Sequence, residues 1–501
     1  YSIMITFITA IVLLVLGYIF YGKFVESIFK PDANRATPAY THADGVDFVP
    51  MNRNRNSLIQ VLNIAGVGPI FGPILGALYG PVAFLWIVVG AIFAGAVHDY
   101  LTGMISMRYG GAHLPALASK FLGKSFSHVV NFFTVLLLLL VGTVFVSAPA
   151  SMINDLIGSD LNMLTLIVFA IFIYYIIATI LPIDKIIGKI YPVLGLLLLL
   201  SAVGVAIGMF MYGNPIPELT LTNLHPKDIP YYPVIFLTIS CGALSGFHAT
   251  QSPIIARAIK NEKDGRKIFY GMMIVEGVIA MVWAAAAMSL VSGEGLSVLL
   301  ANEGLPAVVN KIATVFLGTI GGTIAILGVI VLPITSGDTS FRAARMIIAD
   351  YLKIDQKALK NRFMIAIPLF VIAFILTKID FQLLWRYFSW ANQSIAAIAL
   401  WVGTVYLYQR KTLYIIALVP AFFITSVLGS YLFYDPTIGF GLDIVTSDII
   451  GIVISVLITI LFFVVMRKNK ELPKTEYYVI ESGKVLPKHK DVLVEENSDA
   501  L

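Results

Sequence analysis

The chain has 501 residues, 58% of them hydrophobic and only 13% charged, against roughly 45–50% and ~25% in soluble domains. That composition excludes a soluble globular fold, and the formal net charge of +5 is not placed to serve nucleic acid. A single cysteine, Cys241, excludes an internal disulfide and a Cys-based metal site, and the seven histidines show no ligand spacing, so no metal or cofactor is expected.

A helix crosses a bilayer with about 20 mostly apolar residues. Runs of that kind lie near 2–22, 57–79, 81–101, 127–150, 163–182, 188–212, 231–254, 268–292, 313–336, 362–379, 385–408, 412–433 and 444–466. They are too long for barrel strands, and backbone groups in hydrocarbon must be satisfied within the segment. The predicted fold is an all-α membrane protein of about thirteen transmembrane helices. The chain opens on Tyr1 rather than methionine. With no basic stretch before it and no small-residue cleavage site after it, 2–22 reads as a retained helix rather than a cleaved leader.

With the N-terminus outside, the cytoplasmic segments and adjoining helix ends hold 30 of the 34 Lys and Arg residues. Only Lys227, Lys311, Lys378 and Arg386 fall on the other side, which is the positive-inside asymmetry. One missed helix would scramble that split. It therefore supports the count, a cytoplasmic C-terminus and a place in the cell membrane.

Residues 1–56 read as an extra helix and a cytoplasmic loop. A first five-helix unit, 57–212, opens with LNIAGVGPIFGPILGALYG at 62–80. Pro69 and Pro73 each remove an N–H donor, at about 3 kcal/mol in a helix interior, and Gly66, Gly68 and Gly72 lie beside them. A second unit, 213–408, opens with ISCGALSGFHATQSPIIARAIK at 239–260. This stretch carries Gly242, Gly246, Pro253 and the polar set Ser240, Cys241, Ser245, His248 and Gln251. Singly, such glycines serve helix packing and such prolines make kinks. As a pair they read as two discontinuous helices lying five helices apart, and an odd offset makes the two units antiparallel. A LeuT-type 5+5 inverted repeat has that arrangement, with substrate held near the midplane by half-helix N-termini and unwound carbonyls.

Ionisable groups at membrane depth are functional candidates by default. Glu276 is the deepest acid, a proton carrier or an acceptor for freed backbone N–H groups. Asp99, beside His98, lies closer to the interface, where a salt bridge to Arg or Lys is its plainer use. Ser336, Asp338 and Thr339 form an oxygen-rich group at the expected end of the ninth run. It suits a hard cation such as Na⁺, or a cap on the amphipathic stretch 340–353. His248 alone reads as hydrogen-bonded structure. Asn63, Asn392 and Gln393 add amides that line a cavity or join helices. Two further helices occupy 409–466. The tail, 467–501, lacks an apolar stripe and is expected to be a solvated cytoplasmic appendage.

GVDFVPMNRNR, AGVGPIFGPILGALYG, AGAVHDYLTGMISMRYGG, ISCGALSGFHATQSPIIARAIKNEKDGRKIFYGMMIVEG and ILGVIVLPITSGDTSFRAARMIIADYL, spread over about 47–352, resemble the carbon starvation protein A (CstA) family. The resemblance implies a secondary transporter of peptides or pyruvate with a LeuT-type core, in the amino acid–polyamine–organocation superfamily. One departure stands at the first break. Pyruvate-type members carry a His-His pair where this chain reads Ile59-Gln60, and Gln where it has His98, so a carboxylate substrate does not carry over directly. The reading is an ion-coupled importer, driven by H⁺ or Na⁺, of short peptides or a small carboxylate. Gly66, Gly68, Pro69, Gly72, Ser240, Cys241, Gly242, Ser245, His248, Gln251 and Asn392 are its substrate candidates, and Asp99, Glu276, Ser336, Asp338 and Thr339 its ion-coupling candidates. An amino-acid symporter, an ion channel and a nutrient sensor are the alternatives. No filter-like loop supports the channel, and no nucleophile–base pair supports an enzyme.

Overall fold

The computed structural model describes residues 4–488 apart from 159–162, 183, 186, 213–214 and 292. The end of the predicted tail, 489–501, lies outside the described residues. After α1 (Ile5–Phe29), a first series of helices runs α2 (Arg53–Ala65), α3 (Gly68–Tyr79), α4 (Val82–Arg108), α5 (Leu114–Leu122), α6 (Lys124–Ile157), α7 (Leu164–Ile180) and α8 (Tyr191–Tyr212). A second runs α9 (Tyr231–Thr238), α10 (Phe247–Ala256), α11 (Glu262–Leu290), α12 (Gly293–Glu303), α13 (Leu305–Leu352), α14 (Leu359–Leu376) and α15 (Phe381–Gln409). The order of helix types recurs. Each series is a broken pair, a long helix, a short one, the longest of the series, a short span and a closing helix. The two longest, α6 of 34 residues and α13 of 48, pack on each other. Then α16 (Ile415–Tyr434) and α17 (Ile444–Lys468) pack together beside α15.

Among the described residues nine helices are long and apolar enough to cross a membrane, ten with α2 and α3 taken as one bent span. The other predicted runs correspond to α7 with 17 residues, the pair α9 and α10 with 8 and 10, and α15. Large apolar side chains such as Ile8, Phe20, Leu457 and Leu461 are exposed on the outer helices, whereas His98, Asp99, His248, Glu276 and Asn392 are buried. Apolar outside and polar inside is the arrangement lipid demands.

Both interruptions fall on glycine, where proline was expected to carry them. In the first, α2 ends at Ala65, Gly66 takes φ 53°, and α3 restarts at Gly68 with a 47° bend. In the second, α9 ends at Thr238 and α10 begins at Phe247, with Gly242 at φ 101° between them. A residue with a Cβ pays about 1–2 kcal/mol in that left-handed region. Pro69 lies in the first turn of α3, where a missing N–H costs little. Pro73 and Pro253 are carried inside α3 and α10, so the second break is Ile239–Gly246 and ends before Pro253.

Two further expectations fail. The ninth run does not end at Ser336–Thr339. Apart from Gly318, at φ 73°, α13 is helical through to Leu352, so these residues sit within a helix and no cap precedes 340–353. Buried partners on α2 and α8 satisfy their polar groups there (Ser336 Oγ to the Leu62 carbonyl, Tyr191 hydroxyl to Asp338). Nor is the tail free in solvent. Residues 478–487 form a hairpin of β1 (Tyr478–Glu481) and β2 (Lys484–Pro487), which docks on the loop after α1. Ala36 N donates to the Tyr478 carbonyl, the Tyr477 hydroxyl to Asp32, and the Tyr109 hydroxyl to the Pro473 carbonyl.

Candidate functional site

The two breaks touch. Glycines at positions 68, 72 and 76 form a stripe along α3, and that stripe lies against the end of α9 and the start of the second break. A β-carbon on Gly68 would stand 2.3 Å from Cys241 Sγ, and one on Gly72 would stand 2.9 Å from the Thr238 carbonyl oxygen. Gly68 and Gly72, expected at the substrate, are points of close approach between the broken helices. Gly66 faces the Phe145 ring and the Ser336 hydroxyl. Phe145 in turn meets Phe247 edge-on, with ring centroids 5.7 Å apart.

Behind the second break, groups far apart in sequence form one chain. Asp99 on α4 accepts from both neighbouring imidazoles, Oδ1 from His98 Nδ1 at 2.7 Å and Oδ2 from His248 Nδ1 at 2.8 Å. His248 Nε2 then lies 3.1 Å from Glu276 Oε2 on α11. All four side chains are buried. The salt bridge to Arg or Lys expected of Asp99 is absent here. Its partners are histidines, because the π-helical turn Ala91–Gly95 and the helix after it carry His98 and Asp99 into the interior.

Amides of α15 satisfy the backbone freed by the second break. Phe247 N donates to Asn392 Oδ1 at 2.6 Å, Asn392 Nδ2 to Ser245 Oγ at 3.0 Å, and Gln393 Nε2 to the Phe236 and Leu244 carbonyls. Gln60 and Asn63 on α2, and Gln251 Oε1 on α10, are buried without a hydrogen-bond partner. Unsatisfied buried amides cost about 1–3 kcal/mol each, so such a group marks a place for water or a ligand. Ser240 is buried at the start of the break.

The hydroxyl–acid group of α13 is divided by helix geometry. At 3.6 residues per turn Ser336 and Thr339 share a face and Asp338 lies on the other. Ser336 Oγ reaches the Leu62 carbonyl at 3.0 Å, beside the first break. Asp338 points away, accepting from the Tyr191 hydroxyl at 2.6 Å.

A cavity of about 1000 Å³ opens on the face that holds Lys378 and Arg386. Its polar lining includes Ser147, Ser151 and Thr238, together with Trp385, Arg386 and Ser389 of α15. None of the predicted substrate residues lines it; Thr238 and Ser389 are the lining nearest the breaks. These residues were missed in the sequence, where only Arg386 stood out as a rare cation on that side. The opposite, arginine-rich face is tied by buried ion pairs. Asp47 pairs with Arg345 at 3.2 Å and Arg342 at 3.4 Å, and Glu262 pairs with Arg108 at 3.0 Å. Burial pushes the Asp47 carboxyl up, and the guanidinium groups of Arg345, Arg342 and Arg257 more than reverse this, holding it below the usual carboxylate range.

Against known proteins, the sequence matches the family described as carbon starvation protein CstA over residues 2–159, 147–315 and 295–429. It is 48% identical to an uncharacterized membrane protein of Haemophilus influenzae over 56% of this chain and 89% of that one. It is 28% identical to a peptide transporter CstA of Campylobacter jejuni over 55% of this chain and 48% of that one. With the pyruvate/proton symporter BtsT of Escherichia coli, identity is 27% over 54% and 47% of the two chains. The fold is similar to that of MhsT, solved in complex with L-phenylalanine, at a TM-score of 0.54 and 14% identity, covering 82% of this chain and 99% of that one.

Proposed function

The chain belongs to the carbon starvation protein CstA family, and from that footing we propose that it is a secondary active transporter importing short peptides or a small carboxylate such as pyruvate. Its place is the cytoplasmic membrane, with the N-terminus outside and the C-terminus inside. The observation that carries this reading is a cavity that opens on one face and runs to Thr238, at the edge of two broken helices that touch. Alternating access needs a path closed at one end and a hinge at its middle. Relatives named for peptide transport and for pyruvate/proton symport support the substrate classes.

Substrate enters past Arg386, which shares the cavity mouth with Asp380 and Asp435. It settles against the N-terminus of α3, which has no side-chain cap, where the helix dipole favours a carboxylate. The unpartnered amides of Gln60, Asn63 and Gln251 supply further contacts. Na⁺ as the driving ion is assigned to the Ser336–Thr339 face beside the Leu62 carbonyl, where neutral oxygens converge; H⁺ as the driving ion is assigned to the carboxylates of Asp99 and Glu276. Inward opening then requires Asp47 to part from Arg342 and Arg345.

Uptake of labelled dipeptides, pyruvate and amino acids into proteoliposomes, under imposed H⁺ or Na⁺ gradients, tests the reading. Accumulation of a peptide or pyruvate with one gradient only is expected. Uptake of none of them, or uptake indifferent to both gradients, overturns it, and accumulation of amino acids alone gives the amino-acid symporter. Unitary currents without uptake identify a channel. Removal of residues 470–501 should leave uptake in place, whereas a nutrient sensor would lose its output.

A further inference from the structure

The group behind the second break contains more than a proton path requires. Cys241, the chain's one cysteine, lies within that break and is buried. Its Sγ, a ring nitrogen of His248 and a carboxylate oxygen of Glu276 all lie within 4.8 Å of one another. A tetrahedral Zn²⁺ bound to sulfur, nitrogen and oxygen sets its ligand atoms roughly 3.3–3.6 Å apart. Small side-chain rotations close that difference.

Two observations point to a cation at the centre. His248 Nδ1 is engaged by Asp99, which leaves Nε2 as the ring's free ligating atom, 3.1 Å from a Glu276 carboxylate oxygen. That approach lacks hydrogen-bond geometry. His248 Nε2 and both Glu276 oxygens are buried without a hydrogen-bond partner. A nitrogen and a carboxylate this close in a buried site need a positive charge between them, and a metal ion supplies it as well as a proton does. The rest of the setting is that of a metal-binding histidine, whose second nitrogen almost always donates to a carboxylate that fixes the tautomer. Asp99 does this for His248, and His98 holds Asp99 in turn.

We propose that Cys241 Sγ, His248 Nε2 and the Glu276 carboxylate form a binding site for one borderline-soft divalent transition-metal ion of the Zn²⁺ kind, with Asp99 orienting the histidine. The fourth position is left for water or another small ligand. Binding displaces the thiol proton, and any proton on His248 Nε2 or Glu276, to solvent, and the charge of M²⁺ offsets the thiolate and the Glu276 carboxylate, which lowers the cost of holding them at membrane depth. The ion ties the second break to the first half-turn of α10 and to α11. This proposal does not rest on the transport reading.

The test uses the full chain, untagged, purified in detergent. Zn²⁺ content is measured, and Co²⁺ titration is followed by absorption. About one Zn²⁺ per chain is expected, together with a thiolate-to-cobalt charge-transfer band. Cys241→Ser should abolish that band while weaker binding persists. Glu276→Gln should lower affinity, and Asp99→Asn should lower it by about 10–100-fold. The unmutated protein decides the matter even if a variant fails to fold. Without a charge-transfer band in the folded chain, or with metal bound equally in all variants, the site holds protons only and the proposal is overturned. The readout needs no uptake, so a failed transport assay leaves it standing, and its failure leaves transport untouched.

Discussion

The two breaks solve one problem in different ways. Unwinding a buried helix frees N–H and C=O groups that must find partners. The first break is two residues long, Gly66 and Val67, and the Ser336 hydroxyl on the Leu62 carbonyl is its one side-chain contact of that kind. The second runs from Ile239 to Gly246 and is held by two amides of α15, Asn392 and Gln393. A short break supported by neutral oxygens is free to change its bend. A long one anchored by amides is fixed in place. Rocking is therefore expected to pivot on the first break around a second that stays docked.

The largest effect expected from attacking that contrast is at Gly246. A β-carbon there would stand 1.9 Å from the Asn392 carbonyl oxygen and 2.4 Å from Ala396 N. These are main-chain atoms that no rotamer change can move. Gly246→Ala should cost more than ~3 kcal/mol, at or beyond the upper end of overpacking, and should be read as a fall in thermal midpoint with loss of uptake. If melting is unchanged, the second break is not docked as described.

Next comes the contact between the breaks. Gly68→Ala meets Sγ and Cβ of Cys241 at 2.3 and 2.4 Å and should destabilise by about 1–3 kcal/mol. Both clashing atoms belong to one side chain, so Cys241→Gly in the same chain should restore most of the loss and Cys241→Ser should not. Equal recovery by the two would place the strain elsewhere. Asn392→Ala leaves Phe247 N without its partner, a cost of about 1–3 kcal/mol, and should accelerate hydrogen exchange at the start of α10 before it changes exchange in α3.

The sequence carried the contrast only in part. Hydropathy and the basic-residue asymmetry exposed the helices, and the paired Gly/Pro clusters marked both breaks and their antiparallel offset. The prolines were the misleading part, since composition does not tell a proline in the first turn, such as Pro69, from one in the interior. The Ser336–Thr339 group was read as a helix end because isolated hydroxyl and acid residues prefer ends. That preference loses when α2 and α8 supply buried partners. The Cys241–His248–Glu276 group was invisible to any search by spacing, since its members come from a break and two helices. Nor was the cavity lining legible, because Ser147, Ser151 and Ser389 look like ordinary hydroxyls within apolar runs.

The smallest expected effect on stability separates the breaks most clearly. Ser336→Ala removes a hydroxyl whose one partner is the Leu62 carbonyl, at a cost of about 0.5–1.5 kcal/mol. The fold should therefore survive, with melting within a few degrees of the parent. Transport should not be spared, because Ser336 is one of the oxygens assigned to the driving ion. The concentration of Na⁺ needed for half-maximal uptake should rise severalfold, with little change in substrate dependence at saturating ion. Unchanged ion dependence would remove the coupling site from the first break. The second break would then be left to carry both the substrate and the ion, and the division between a mobile hinge and a fixed anchor would fail.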